Sequence, residues 1–189
     1  MTAAIVGISG SLRKGSYNSM LLAAAARAVP PGVAFDILSI RDVPLYDGDV
    51  EAQAGAPESV RVLKDRLAAA DGLLVATPEY NNSIPGVAKN AIDWMSRPAA
   101  DIPRVFGGLA VALMGATPGR GATSLSQAAW LPVLRTLGTR PWFGGRLEIA
   151  RAADVFDADG LRDDDIRTRL ERFVRGFADF VSRSPRAPR

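Results

Sequence analysis

The chain reads as an α/β protein in which a parallel sheet is covered by helices on both faces. Three observations predict this. Strand-like and helix-like stretches alternate five times along the 189 residues. Most of the strand-like runs, such as Ile5-Val6-Gly7-Ile8 and Leu73-Leu74-Val75-Ala76, are continuously apolar, as strands buried on both faces must be. The segments after strands one, three and four are rich in Gly, Pro, Ser, Thr and Asn, the composition of loops. In sheets of this kind, ligands bind beyond the carboxyl ends of the strands, where strand order reverses. The three loops are therefore expected to meet in one site.

Element by element, Ala3 to Ser9 is the first strand, running into the loop "GISGSLRKGSYNS". Asn18 to Val29 follows as a helix rich in Ala and Leu, closed by Pro30-Pro31-Gly32. Val33 to Ile40 alternates as a second strand, and "RDVPLYDGDVEAQAGAPES" is expected to be a long loop. Ser59 to Ala70 places Val60, Leu63 and Leu67 on one helical stripe. Leu73 to Thr77 is the third strand, and Pro85 opens a helix running to Ser96, since proline fits a first helical turn. Gly108 to Met114 is the fourth strand, "GATPGRGATS" its loop, and Ser124 to Leu137 the next helix. A short fifth strand is expected between Arg140 and Ile149. The last helix begins near Asp163, with Ile166, Leu170, Phe173, Val174, Phe177 and Val181 on one stripe.

The composition, 48% hydrophobic and 23% charged, suits one globular domain, expected over residues 1–182 with 183–189 as a disordered tail. No run approaches the roughly 18 apolar residues of a membrane span, and the first residues lack the pattern of a secretory signal, so a cytoplasmic protein is expected. There is no cysteine and no histidine. Thiolate and imidazole chemistry, including Ser-His-Asp and Cys-His hydrolysis, is thereby excluded, and an enzyme built this way needs a bound cofactor to supply its chemistry. The net charge of +3, with no basic block, argues against nucleic acid as a partner.

Three phosphate-binding patterns compete for the first loop. Gly10 and Gly15 have the spacing of a Walker loop, but Ser16 stands where its lysine belongs. The dinucleotide pattern G-x-G-x-x-G fails at Ser9 and Leu12, and Ser39-Ile40-Arg41 replaces the acid expected after strand two. The third is a mononucleotide phosphate held by Ser9, Ser11, Ser16 and Asn18, the forked guanidinium of Arg13, and amides at a helix start. An ordinary turn with a Ser or Asn helix cap explains the same residues without a ligand.

The second loop separates these readings. "TPEYNNSIPGVAKNAIDWMSRP", Thr77 to Pro98, resembles the signature of the NADPH-dependent FMN reductase family. "GSLRKGSYN" resembles that family's phosphate loop, and "VPLYDGDVE" the loop after its second strand. Ala88 departs from the leucine common at its position, and "MGATPGRGATSLSQ" matches less closely. The resemblance implies a flavodoxin-like three-layer sandwich with a five-stranded sheet of order 2-1-3-4-5. It implies that Ser11, Arg13, Ser16 and Asn18 hold the FMN phosphate and that Tyr17 lies along the ribityl chain. Pro78, Glu79, Tyr80 and Asn81 would border the isoalloxazine ring, largely through backbone, with Thr117 and Gly119 approaching it from the third loop. No metal site is expected: Asp163-Asp164-Asp165 reads as acids complementing a helix start.

The activity so implied passes hydride from NADPH or NADH to N5 of non-covalently bound FMN. The electrons then go to a quinone, an azo compound, a metal oxyanion such as chromate, or free flavin. No protein nucleophile is needed. The rival is a flavodoxin-type electron carrier or flavin-binding module without NAD(P)H turnover, but such carriers are typically strongly acidic. The resemblance also suggests a homodimer or homotetramer, with Tyr46 reaching a neighbouring flavin pocket. Trp94, Met95, Trp130 and Trp142 read as packing residues, and Arg120 as a solvated arginine or a partner for the extra phosphate of NADPH.

Overall fold

The computed structural model describes residues 3–183 and 186. Strand β1 (Ala3–Ser9) leads into α1 (Tyr17–Arg27), followed by β2 (Val33–Leu38), α2 (Gly48–Ala54), α3 (Glu58–Ala69) and β3 (Gly72–Ala76). Next come α4 (Gly86–Met95), a 3-10 turn (Ala99–Asp101), α5 (Ile102–Val105), β4 (Ala110–Ala116) and α6 (Ser124–Thr136). Two short strands, β5 (Arg140–Pro141) and β6 (Leu147–Ile149), precede α7 (Ala152–Val155), the hairpin β7 (Phe156–Asp157) and β8 (Gly160–Leu161), and the long α8 (Asp164–Arg183).

The main sheet has the order β2-β1-β3-β4-β5, all neighbours parallel, with β6 also paired to β4. This is the flavodoxin-like order. Strand order reverses at β1 and β3, with β2 on one side of β1 and β3 on the other, so the crevice expected of such sheets opens beyond Ser9 and Ala76. Side chains alternate across the sheet into two apolar layers. Ile5, Leu74 and Met114 face α1 and α8, while Val6, Leu73 and Val111 face α3, α4 and α6. Each fully buried Leu or Phe of these layers contributes about 1.5–3 kcal/mol. On the α8 side the helix lies so close to β3 that a Cβ on Gly72 would sit 2.8 Å from Val181 Cγ2.

Several expectations change. The stretch 41–59 is not all loop, because Asp47 caps α2 by accepting from the Asp49 amide. No α2 residue is buried, so no apolar period announced it. The single fifth strand is split into β5 and β6, separated by Trp142-Phe143-Gly144-Gly145-Arg146. Pro85 occupies the cap position before α4 rather than its first turn. The tail expectation changes where it can be described: Arg183 ends α8, and Arg186 donates to the carbonyls of Gly107, Leu67, Pro103 and Arg104. The other tail residues lie outside the described residues. Asp163 caps α8 through the Ile166 amide, and Trp94, Met95 and Trp130 are buried core.

Candidate functional site

The first loop leaves β1 at Ser9 and turns back into α1. The Gly10 amide donates to Ala76 O at 2.8 Å, which carries the β1–β3 pairing one residue into the loop. A Cβ at Gly10 would lie 3.1 Å from Pro78 Cδ and 3.3 Å from Ala88 Cβ, so glycine lets the first two loops touch. The small Ala88 belongs to the same close approach. Gly15 takes φ +66°, a left-handed turn natural to glycine. Ser16 then caps α1, its hydroxyl accepting from the Ser19 amide. No acid stands in the first turn of α1, so the positive end of that helix is uncompensated. Arg13 is exposed and spreads its guanidinium over the Tyr17 ring, 5.3 Å from its centroid.

Asn18 ties the first loop to β4. Its amide Nδ2 donates to Ala116 O at 2.8 Å, and its Oδ1 accepts from the Ala116 amide at 2.9 Å. The buried carboxamide is held at the end of β4, and its Nδ2 carries a second N–H beside the main-chain N–H at the start of α1.

The second loop is a tight hairpin. Tyr80 and Ser83 exchange both backbone hydrogen bonds around Asn81 (φ 50°) and Asn82 (φ 60°). Two successive left-handed residues make a type I′ turn, in which asparagine is favoured. Glu79 does not aim its carboxylate into the loop. Its Oε2 accepts from the amides of Leu125 (2.9 Å) and Ser126 (3.0 Å), capping α6. Beneath it, the Thr77 hydroxyl is within 2.9 Å of Ser126 Oγ and accepts from Trp130 Nε1.

In the third loop, the Thr117 amide donates to Ile149 O, while Gly119 O accepts from the Arg151 amide. Gly115 is the tightest point of the site: a Cβ there would fall 2.2 Å from Thr77 O and 2.3 Å from Thr123 Oγ1. The three loops are thus physically joined, the first to the second at Gly10 and Pro78, the first to the third at Asn18 and Ala116, and the second to the third at Thr77 and Gly115. Thr77, Thr123 and Ser126, all buried, were not singled out from sequence. Hydroxyl residues flanking an otherwise apolar strand end were the available signal.

A profile of the family described as NADPH-dependent FMN reductase matches residues 3–154, most of the chain. The chain belongs to the NADPH-dependent FMN reductase family. It is therefore an oxidoreductase, with FMN as flavin and NAD(P)H as reductant. An NAD(P)H-dependent FMN reductase of Pseudomonas aeruginosa is 42% identical over 180 residues, 95% of each chain. A 2-hydroxy-1,4-benzoquinone reductase of a Burkholderia species is 36% identical over 182 residues, 96% of this chain and 97% of that one. Among solved structures, the flavoenzyme NAD(P)H:(acceptor) oxidoreductase FerB of Paracoccus denitrificans superposes with a TM-score of 0.84 at 33% identity, covering 97% of this chain and all of that one.

The segment that resembles the family's post-strand loop is pinned to α4. Asn90 bridges the Tyr46 amide and Pro44 O, Trp94 Nε1 donates to Pro44 O, and the Tyr46 ring meets Trp94 edge-on at 4.9 Å. Tyr46 also donates its hydroxyl to Glu51, which accepts from Arg97 as well. Arg97 first, and then Tyr46, hold the Glu51 carboxyl below its ordinary value. The Tyr46 hydroxyl is thereby engaged within its own chain. Arg120 lies exposed in the third loop. No helix is long and apolar enough to cross a membrane, among the described residues.

Proposed function

We propose that this member of the family reduces small oxidised acceptors, quinones foremost, at one site where NAD(P)H and acceptor take turns over bound FMN. The observation carrying this reading is the first loop: a capped helix start without a neighbouring acid, a serine cluster and an arginine that meets no carboxylate among the described residues, joined at Gly10 to Pro78 at the head of the second loop. A phosphate dianion complements that helix start. Ser11, Arg13 and Ser16, with main-chain N–H groups of Tyr17 and Asn18, would hold the FMN phosphate, and the Tyr17 ring would flank the ribityl chain. Main-chain groups of Pro78, Glu79, Tyr80 and Asn81 would line one edge of the isoalloxazine, with Thr117 and Gly119 approaching from the third loop. When bound, FMN supplies the chemistry of accepting hydride from the nicotinamide and passing electrons to the acceptor.

The protein's part is binding and orientation. The Asn81-Asn82 turn presents backbone donors and acceptors in a set geometry, and the Glu79 cap and the Thr77–Ser126 contact keep that turn from moving. Tyr80 is exposed at the hairpin, and an acceptor reaching a flavin there from solvent meets little shape selection, so free flavin, azo compounds and chromate fall within the same reading. A cytoplasmic setting, where reduced nicotinamide is available, belongs to it too. So does a homodimer or homotetramer, supported by Leu45 and Phe143, 84% and 74% exposed on the single chain.

The test is anaerobic addition of NADPH to FMN-loaded protein. The flavin absorbance is expected to bleach within the mixing time and to return on adding a quinone. Unchanged absorbance would replace the reductase with an electron carrier or flavin-binding module. Arg13→Ala is expected to weaken FMN binding by about tenfold or more, the scale of charged hydrogen bonds, with the urea midpoint unchanged. Equal FMN affinity in that variant would remove Arg13 from the phosphate site.

A further inference from the structure

The first loop has a second side. Between it and the end of β2 lies a cleft of about 190 Å3, lined by Ser9, Ser11, Ser19, Ser39, Arg13 and Arg41 as its polar groups. None of its lining residues is a carboxylate. Neighbouring arginines are neutralised, Arg66 by Asp36 on β2 and Arg61 by Glu58, but Arg41 meets no carboxylate among the described residues, and it is the cation of this cleft that the FMN phosphate does not claim. Arg41 Nη2 donates to Leu12 O at 2.6 Å, which aims the guanidinium along the cleft and leaves its other N–H groups for a ligand. The Ser39 hydroxyl accepts from the Arg41 amide, so its own proton is available. Ile37, 46% exposed, stands at the rim as an apolar surface.

We propose that this cleft binds the 2′-phosphate of NADPH and so selects NADPH over NADH. The proposal rests on the reading that NAD(P)H reduces FMN bound at the same loop. The two nicotinamides differ only in that dianion, so a cleft of guanidinium and hydroxyl donors without a carboxylate rewards one and is indifferent to the other. The cleft opens on the β2 side of the loop, and the hairpin 80–83 lies on the β3 side. The shared chemistry is a phosphomonoester, and FMN carries one too, so the two sources must be told apart.

The experiment compares FMN-loaded wild type, Arg41→Ala and Ser39→Ala. Arg41 and Ser39 are exposed, so both variants are expected to fold. The ratio of kcat/KM for NADPH over NADH should fall about tenfold in Arg41→Ala and less in Ser39→Ala. By calorimetry, 2′-AMP should bind the wild type more tightly than 5′-AMP does, and this preference should vanish in Arg41→Ala. An unchanged ratio, or equal binding of the two nucleotides by the wild type, overturns the proposal. So does a drop in FMN affinity matching the drop in the ratio, since the cleft would then serve the flavin phosphate. If neither nicotinamide bleaches the wild-type flavin, the reductase reading itself fails, and the 2′-AMP binding still judges the cleft.

Discussion

Glu79 stands in the middle of the loop proposed to border the flavin, where a free carboxylate would oppose negative charge growing on a reduced ring. Its Oε2 instead accepts from the Leu125 and Ser126 amides, placing the charge on the positive end of α6. The residue therefore acts by holding the hairpin to α6, and its side chain is a positioning group. Glu79→Ala leaves two amides without an acceptor and should cost about 1–2 kcal/mol in stability, with FMN bound more weakly because the 78–81 backbone is released. Glu79→Gln keeps an acceptor oxygen and should lose less on both counts. Urea denaturation and flavin-fluorescence titration check this, and an alanine variant as stable as the parent would contradict it. Glu79 and Asn18 also mark where sequence stops informing. Both lie in recognisable motifs, yet their side chains bond groups 46 and 98 residues away, and no local spacing encodes such partners.

Among the elements, those with a buried stripe were legible and those without one were not. Helices α1, α3, α4, α6 and α8 bury apolar faces, and their bounds fall within a few residues of the sequence expectation. Helix α2 buries nothing, and the four-residue α5 is too short to show a period. Besides the buried Val105, charge holds α5 and the preceding 3-10 turn against α3. Lys64 of α3, itself buried, meets Asp101 at 2.6 Å, and Arg104 bonds both Asp101 and Asp65. Arg104 first, and then Lys64, lower the Asp101 pKa to about 2. Because folding depresses this pKa, the stabilisation is present above the ordinary carboxylate range near pH 4 and is lost as pH falls through about 2. Asp101→Asn should thus be about 2 kcal/mol less stable than wild type at neutral pH, with the difference closing toward about pH 2. Urea midpoints across that range decide it, and a difference independent of pH would place the effect in packing.

At the scale of the whole molecule, parallel pairing and the edge that carries the candidate site follow from the alternation of apolar runs with polar loops, because a parallel sheet puts every such loop on one edge, whereas the strand order was implied by the family resemblance. The way the chain closes on itself does not follow, since it rests on one residue beyond the last helix. Arg186 reaches back over the opposite end of the molecule. Its Nε donates to Gly107 O at 2.7 Å, its Nη1 to Leu67 O, and its Nη2 to Arg104 O at 2.9 Å. Leu67 belongs to the last turn of α3 and Arg104 to α5, so one guanidinium serves the carbonyl ends of two helices, where positive charge is favourable. Arg186→Ala should therefore lower stability by about 1–2 kcal/mol. In a chain of this length that corresponds to a Tm lower by roughly 2–8 °C. The flavin site we propose lies at the carboxyl ends of the strands, while Gly107 precedes the start of β4, so FMN affinity and turnover at moderate temperature should stay as in the parent. Calorimetric melting alongside flavin titration separates the two quantities. A variant that melts like the parent would show that the latch adds nothing, and one that loses FMN in proportion to stability would tie the C-terminus to the site.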